Sequence, residues 1–282
     1  MKSNYISESC VGNNTIWHIQ HPKFQAKVSK YGAHVLSFIP TGKSDLLWLS
    51  QSAVLDGTKA IRGGIPICWP WFGPANGVYQ GEPQHGYARI INWDIKSVEE
   101  SVDSLKIRLV PIIPDEIKPN VKFSAEIVLV FADSLDIQVI SKNQSEETQI
   151  LSQAIHTYLS VDNISTTYLS GLESTDYIDK LTTEVNRQIG DVVVGSHTDR
   201  VYITEEENFV VVDGHRKVLI SANNHDSIVV WNPWHENAQA MLDFDDEGYL
   251  NMLCVEAANT QRLLVAPGQS HTLTQRINTT AQ

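Results

Sequence analysis

Two arginines, a glutamine and a histidine stand close together in one Gly- and Pro-rich part of the sequence. Arg62 precedes a pair of glycines, and Gln84 and His85 precede Arg89. Guanidinium groups bind phosphates and carboxylates through paired hydrogen bonds, and glycine lets a ligand approach the backbone closely. The pattern favours a binding site for an anionic ligand. The alternative is that each arginine pairs with one of the 33 acidic residues at the surface.

An imidazole and a carboxylate further along the chain have the chemistry to transfer protons. His156 lies in a segment of strand composition, where it shares a face with Ala154 and Tyr158. Glu256 lies among apolar and small residues, where a buried carboxylate costs stability unless it is paired. General acid–base catalysis uses both residue types. The alternatives are a hydrogen-bonded core histidine and a structural ion pair.

Aromatic side chains near the arginines are candidate contacts for a sugar. Trp69, Trp71 and Phe72 lie between Arg62 and His85. Flat rings stack on sugar faces, and together with polar neighbours they form a ligand site of mixed character. The alternative is that these rings belong to the buried core.

Asp199 and Trp231 are two further candidates for ligand contacts. Asp199 leads into a segment of strand composition, and its alternative role is a turn carboxylate paired with Arg200. Trp231 stands at the end of a predicted strand, where its indole is either exposed or stacked.

Strand-like patterns dominate the elements that must position these residues. Apolar–polar alternation and strand composition predict strands at residues 16–20, 24–28, 35–39, 45–49, 92–98, 105–112, 123–131, 135–141, 149–160, 209–212, 217–221, 227–231, 263–266 and 270–277. Helical periodicity is scarce, and the best candidate, residues 245–252, is weakened by Gly248. We expect one all-β domain over residues 1–282, with antiparallel strands in two packed sheets and few short helices.

Composition and charge exclude several classes of function. The 282 residues are 42% hydrophobic, enough for a large core, and carry a formal net charge of −12. An acidic surface repels nucleic acids and anionic membranes, so neither is an expected partner. The sequence lacks the dinucleotide-binding, phosphate-loop, zinc-protease and serine-hydrolase motifs. We therefore predict no cofactor and no metal.

The cysteines and the N-terminal sequence indicate the cellular setting. Cys10, Cys68 and Cys254 are odd in number and widely spaced, which argues against a disulfide framework and is compatible with a reducing cytosol. No secretory signal is recognisable, and no window approaches the roughly 18 apolar residues of a membrane span. We expect a soluble, cytoplasmic protein that is a monomer or a weak dimer.

Four motifs together resemble the aldose 1-epimerase (galactose mutarotase-like) superfamily, and most closely its glucose-6-phosphate 1-epimerase branch. They are Arg-Gly-Gly-Ile-Pro-Ile-Cys-Trp-Pro-Trp-Phe-Gly at residues 62–73, Gln-His-Gly-Tyr-Ala-Arg at 84–89, Ile-His-Thr-Tyr at 155–158 and Cys-Val-Glu-Ala-Ala-Asn at 254–259. The resemblance spans essentially the whole chain. It implies a large antiparallel β-supersandwich.

The resemblance also implies roles for individual residues. Glu256 resembles the general base and His156 the general acid, while His85 and Asp199 resemble sugar contacts. Further implied substrate contacts are Gln84 and Trp231, and a pair of arginines that favours a 6-phosphate, Arg62 and Arg89. The departures from the family pattern are Tyr87, Leu159 and a polar segment at residues 115–123.

The implied reaction is exchange between the α and β anomers of a hexose 6-phosphate. A base removes the proton of the C1 hydroxyl, an acid protonates the ring oxygen, and the ring opens and closes again on the other face. This scheme requires Glu256 ionised and His156 protonated at rest. The open alternatives are an unphosphorylated aldose as substrate and a non-catalytic carbohydrate- or sugar-phosphate-binding protein.

Overall fold

The computed structural model describes residues 3–75, 79–118, 121–214 and 216–281. Within these residues the chain forms three antiparallel sheets. A four-stranded sheet contains the first strands in sequence order: β1 (Ile6–Val11), β2 (Asn14–His21), β3 (Phe24–Ser29) and β4 (His34–Pro40). In β3 the apolar residues face inward and Gln25 and Lys27 face solvent, which is the alternation that the sequence predicts.

An eight-stranded sheet carries the segments with the candidate residues. Its path order is β14-β13-β16-β19-β20-β10-β5, with β11 paired to β20 beside that path. Its strands are β5 (Ile67–Cys68), β10 (Gln149–Ile155), β11 (Tyr158–Ser160), β13 (Asp176–Asp179), β14 (Val185–Arg187), β16 (Thr198–Ile203), β19 (Ser227–Asn232) and β20 (Met252–Val265).

A nine-stranded sheet packs against the eight-stranded one. Its order is β15-β12-β17-β18-β21-β9-β8-β7-β6. Its strands are β6 (Trp93–Glu100), β7 (Leu105–Pro111), β8 (Phe123–Phe131), β9 (Leu135–Asn143), β12 (Tyr168–Ser170), β15 (Val192–Val193), β17 (Asn208–Asp213), β18 (Arg216–Asn223) and β21 (Ser270–Ala281).

One contiguous apolar core joins the three sheets. It contains Phe24 of the four-stranded sheet, Phe131 of the nine-stranded sheet and Val255 of the eight-stranded sheet. The rings of Phe24 and Phe131 have centroids 5.9 Å apart. The layout therefore has a third sheet that the expectation of two packed sheets did not include.

Helices are few and short, as predicted. The elements described in full include the helix α1 (Trp234–Ala240) and the 3-10 turns Ala88–Ile90, Ile164–Thr166 and Gly248–Asn251. The predicted helix at residues 245–252 is wrong, because only a 3-10 turn forms there before β20 begins at Met252. None of the helices in the described ranges is long and apolar enough to cross a membrane.

Candidate active site

Glu256 lies on β20, every residue of which from Met252 to Ala258 is buried. Neighbouring residues on a strand point to opposite faces. Val255 and Ala257 belong to the core between the sheets, so Cys254 and Glu256 share the other face. The Glu256 side chain is only 1% exposed.

His156 lies in the break between β10 and β11, where residues 149–160 had been predicted as one strand. Its backbone N–H donates to the carbonyl of Pro66 at 3.0 Å, outside the β10–β20 ladder. Its Nδ1 lies 3.1 Å from Oε1 of Glu256, and its side chain is 12% exposed. Neither Nδ1 of His156 nor Oε2 of Glu256 has a hydrogen-bond partner among the described residues. The two groups are therefore close together but retain free hydrogen-bonding capacity.

The surroundings of this pair favour uncharged side chains. Burial raises the pKa of Glu256 well above its ordinary value; Asp199 raises it further and Arg89 lowers it. Burial lowers the pKa of His156 well below its ordinary value, and neighbouring His85, Arg89 and Arg62 lower it further. Both shifts favour the neutral forms, a protonated Glu256 carboxyl group and an imidazole of His156 without a second ring proton. This differs from the expected charged pair, because the sequence does not reveal how deeply both groups are buried.

A buried amide on the nine-stranded sheet supports both segments. Gln275 accepts a hydrogen bond from the Thr157 hydroxyl and donates from Nε2 to the carbonyl of Val255 at 3.0 Å. These two residues adjoin His156 and Glu256. Gln275 was not predicted from the sequence, although a glutamine between Leu273 and Ile277, at a core-facing position of a strand, was the available signal.

Arg62 reaches the site beside two glycines with positive φ. A Cβ atom on Gly64 would lie 2.3 Å from the carbonyl oxygen of Val35, so only glycine fits there. Nε of Arg62 lies 3.3 Å from Oδ1 of Asp243, and Nη1 lies 3.3 Å from the hydroxyl of Tyr158. The alternative that Arg62 pairs with an acidic residue is thus met by Asp243. Because a guanidinium has five N–H donors, these two contacts leave donors for a ligand.

Arg89 lies in the 3-10 turn Ala88–Ile90. Its Nη2 donates to the carbonyl of Gln84 at 2.9 Å, and its Nε is buried without a hydrogen-bond partner among the described residues. Its charge acts on the pKa of both His156 and Glu256. Both arginines therefore contribute positive charge at the acid–base pair.

A cavity of about 460 Å³ is lined by His85, whose ring centroid lies 6.2 Å from that of His156. Of the residues predicted from the sequence, Gln84, His85 and Asp199 line it. Burial lowers the pKa of His85 to about 3, with Arg89 and Arg62 adding to the shift. The N–H of Gly73 donates to Nδ1 of His85, so the neutral ring carries its proton on Nε2.

The rings of His85, which lines the cavity, and of Trp231 lie near the ring of His156. The ring centroid of His156 lies 6.2 Å from that of His85 and 6.3 Å from that of Trp231. Tyr158, which was not predicted, stacks on His156 with centroids 4.8 Å apart and an angle of 8°. Asp199 pairs with Trp231 across β16 and β19, and burial raises the pKa of Asp199.

The other aromatic candidates divide between the core and the cavity. Trp69 is buried and donates from its indole to Ser141, and buried Trp71 stacks on Tyr79, so both belong to the core. Phe72 lines the cavity. In the polar segment 115–123, Pro119 and Asn120 lie outside the described residues, and the described remainder does not line this cavity.

Comparison with known proteins agrees with the fold described above. The fold is the galactose mutarotase-like all-β fold. The crystal structure of a "putative mutarotase (YeaD)" from Salmonella typhimurium superimposes with a TM-score of 0.93 at 27% identity and covers 100% of this chain and 96% of that one. Galactose 1-epimerase from Lactobacillus acidophilus NCFM shares the fold, with a TM-score of 0.75 at 12% identity over 98% of each chain.

The sequence comparison identifies the family. The family described as Aldose 1-epimerase matches residues 15–278. A protein of Escherichia coli K12 named "Putative glucose-6-phosphate 1-epimerase" is 33% identical over 246 residues, which cover 85% of this chain and 81% of the relative. One of the same name from Cenchrus ciliaris is 32% identical over 261 residues, covering 86% and 78%. The chain belongs to the aldose 1-epimerase family.

Proposed function

We propose that the protein interconverts the α and β anomers of a hexose 6-phosphate, with glucose 6-phosphate as the first candidate, and that Glu256 is the base and His156 the acid. The observation that carries the proposal is the placement of these two buried groups 3.1 Å apart, with unpartnered atoms, beside the cavity. The names of the relatives support the substrate class.

The proton count of the pair suits this reaction. A protonated Glu256 with a neutral His156 becomes the reactive ion pair when one proton moves between them. The ionised carboxylate then removes the C1 hydroxyl proton, and the imidazolium protonates the ring oxygen. Closure of the ring on the other face reverses both transfers, so that both groups return to their starting state.

Phosphate binding favours the reactive form. Besides burial, the charges of Arg89 and Arg62 lower the pKa of His156, and a bound phosphate dianion offsets the positive charge of these arginines. This raises the pKa of His156 and promotes proton transfer from Glu256. The phosphate contact also fixes the position of C1 relative to the pair, which converts binding energy into rate.

Substitution of the base tests the proposal. We expect Glu256→Gln to lower the rate of anomer exchange on glucose 6-phosphate by about 10²–10⁴-fold, measured by saturation-transfer NMR, while binding of the sugar phosphate persists. Glu100→Gln, on exposed β6, is the matched control and keeps full activity. Full activity of Glu256→Gln would show that the base is misassigned.

A second candidate substrate is an unphosphorylated aldose, and one observation favours it: Arg62 already pairs with Asp243. The double variant Arg62→Ala, Arg89→Ala decides between the two. If the phosphate binds there, the variant loses kcat/KM on glucose 6-phosphate and retains it on glucose and galactose. If the parent protein prefers an unphosphorylated sugar and the variant is unchanged, the phosphate role is refuted.

The remaining alternative is a binding protein without catalysis. It predicts binding of a sugar phosphate with no exchange above the rate in buffer. The buried acid–base pair weighs against this alternative, because a binding protein gains nothing from the cost of burying both groups.

A further inference from the structure

His156, Cys254 and Glu256 form a cluster of three different ligand types. One nitrogen, one sulfur and one oxygen atom, one from each side chain, all lie within 4.8 Å of one another. The thiol and the carboxylate share a face of β20, and the imidazole approaches from the break between β10 and β11. Within the described ranges, no other group of three or more His, Cys, Asp or Glu side chains has such spacing.

The spacing is close to that of a tetrahedral metal site. Zn–S bonds of about 2.3 Å and Zn–N or Zn–O bonds of about 2.1 Å place the ligand atoms of such a site roughly 3.3–3.7 Å apart. The cluster departs from this by no more than about 1.5 Å, a distance that side-chain rotation spans. Cys254 is fully buried and Glu256 is 1% exposed, and Oε2 of Glu256 has no hydrogen-bond partner among the described residues.

We propose that His156, Cys254 and Glu256 bind a thiophilic divalent cation, such as Zn²⁺ or Cd²⁺, and that the bound cation inhibits the enzyme. The cation displaces one proton from the thiol and one from the carboxyl group to the solvent, so that two anionic ligands match its two charges. Three protein ligands leave the fourth position for water. Mg²⁺ is excluded, because it requires oxygen ligands in octahedral geometry.

The cation reaches the cluster through the cavity. His156 is the most exposed of the three residues, and the ring of His85, which lines the cavity, is 6.2 Å from it. A sugar whose C1 is at the acid–base pair occupies the same space. The cation and a hexose 6-phosphate are therefore expected to compete. The positive charges of Arg62 and Arg89 oppose the cation, and ionisation of the two ligands offsets them.

Cobalt spectroscopy tests the binding without any need for activity. The full-length protein is titrated with Co²⁺, which gives a thiolate-to-cobalt charge-transfer band and intense visible bands in a tetrahedral site that contains sulfur. We expect these bands in the parent protein, their loss on adding Zn²⁺ or Cd²⁺, and no effect of excess Mg²⁺. Absence of a thiolate band in the parent protein overturns the proposal.

Variants locate the site. Cys254→Ala should abolish the thiolate band and weaken Zn²⁺ binding by at least ~10-fold. Cys10→Ala and Cys68→Ala remove the exposed thiol and the other buried thiol, and both should keep the spectrum. A thiolate band that persists in Cys254→Ala overturns the proposal. If Cys254→Ala does not fold, His156→Gln is used, and visible bands unchanged from those of the parent protein count against the site.

Kinetics test the inhibitory part separately. In the parent protein, Zn²⁺ should raise the KM for the hexose 6-phosphate and leave kcat unchanged, because sugar and cation exclude each other. A bound cation that leaves anomer exchange unaffected refutes inhibition while the spectra still establish binding. A protein that binds the cation but shows no epimerase activity refutes the proposed function instead.

Discussion

The hydroxyl group of Thr157 donates a hydrogen bond to the side-chain carbonyl of Gln275, across the interface between two sheets. The amide nitrogen of Gln275 donates to Val255, 3.0 Å away. Thr157 follows His156 and Val255 precedes Glu256. One amide, 1% exposed, therefore links the side chain of the residue after His156 to the backbone of the residue before Glu256, and we predict that Gln275 is a positioning residue.

Replacement of Gln275 should affect the positioning of His156 and Glu256 without affecting substrate binding. We expect Gln275→Leu to lower kcat for anomer exchange with little change in KM. We also expect the free energy of unfolding to fall by about 1–3 kcal/mol, because a buried hydroxyl and a buried carbonyl lose their partner. Gln20→Leu, at an exposed position of β2, is the control. A loss of stability without loss of kcat would mean that Gln275 is merely structural.

The protonation of Glu256 should make stability depend on pH. Burial raises its pKa in the folded state above the unfolded value of 4.5. Its contribution to stability is therefore complete below that pH and is lost as the pH rises toward the folded pKa. Glutamine does not titrate, so the Glu256→Gln variant does not lose this stability. Its free energy of unfolding should therefore rise relative to that of the parent protein by up to ~1.4 kcal/mol per pH unit over that window.

Thermal unfolding at pH 5 and pH 8 measures this difference. The Tm of Glu256→Gln minus that of the parent protein should increase with pH. The same comparison with Glu100→Gln should show no trend, because that side chain is exposed on β6. A difference that stays constant with pH would contradict the raised pKa.

Gly64, the second of the two glycines after Arg62, should not tolerate a side chain. Gly64 has a φ of +62°, and a Cβ atom there would lie 2.3 Å from the carbonyl oxygen of Val35. We expect Gly64→Ala to cost about 2–4 kcal/mol and to raise the KM for a hexose 6-phosphate by moving Arg62. Gly42→Ala, with a φ of +77° and open space around it, should cost only about 1–2 kcal/mol. Equal costs in a denaturant titration would argue against the steric explanation.

The hydroxyl group of Tyr158 should position Arg62, and its ring should position His156. Tyr158→Phe removes the contact with Nη1 of Arg62 and keeps the ring stacked on His156. Loss of this hydrogen bond, which contributes about 1 kcal/mol to the positioning of Arg62, should raise the KM for glucose 6-phosphate about 5-fold. It should leave kcat nearly unchanged. Tyr168→Phe on β12 is the control. A fall in kcat with unchanged KM would assign the hydroxyl to proton transfer instead.

Local patterns in the sequence predicted much of the fold. The predicted strand at residues 123–131 matches β8, and those at 105–112 and 135–141 match most of β7 and β9. These strands alternate clearly because one face is in the core. The strand of Asp199, β16, was expected from the residues that follow Asp199, whereas its neighbours β13 and β14 were missed, since they are short and partly exposed. Helix α1 was also missed, because it depends on tertiary packing of Ala238 against Trp48 and Phe244.

The candidate residues were identified by type and motif, and the structure places them around one site. What the motifs did not reveal are the contacts between distant segments, such as Arg62 with Asp243 and Gln275 with Thr157. These contacts join residues far apart in the chain, and neither partner has a local pattern that indicates the other. The roles of the site residues remain predictions for the experiments above.

The sequence alone determined the class of fold, the family motifs and the residue types of an acid–base site with two nearby cations, because alternation and motif spacing are local properties of the chain. Tertiary structure decided the environment of the pair. Burial of both side chains raises the pKa of Glu256 and lowers that of His156, and desolvation depends on every atom around a group rather than on its neighbours in sequence.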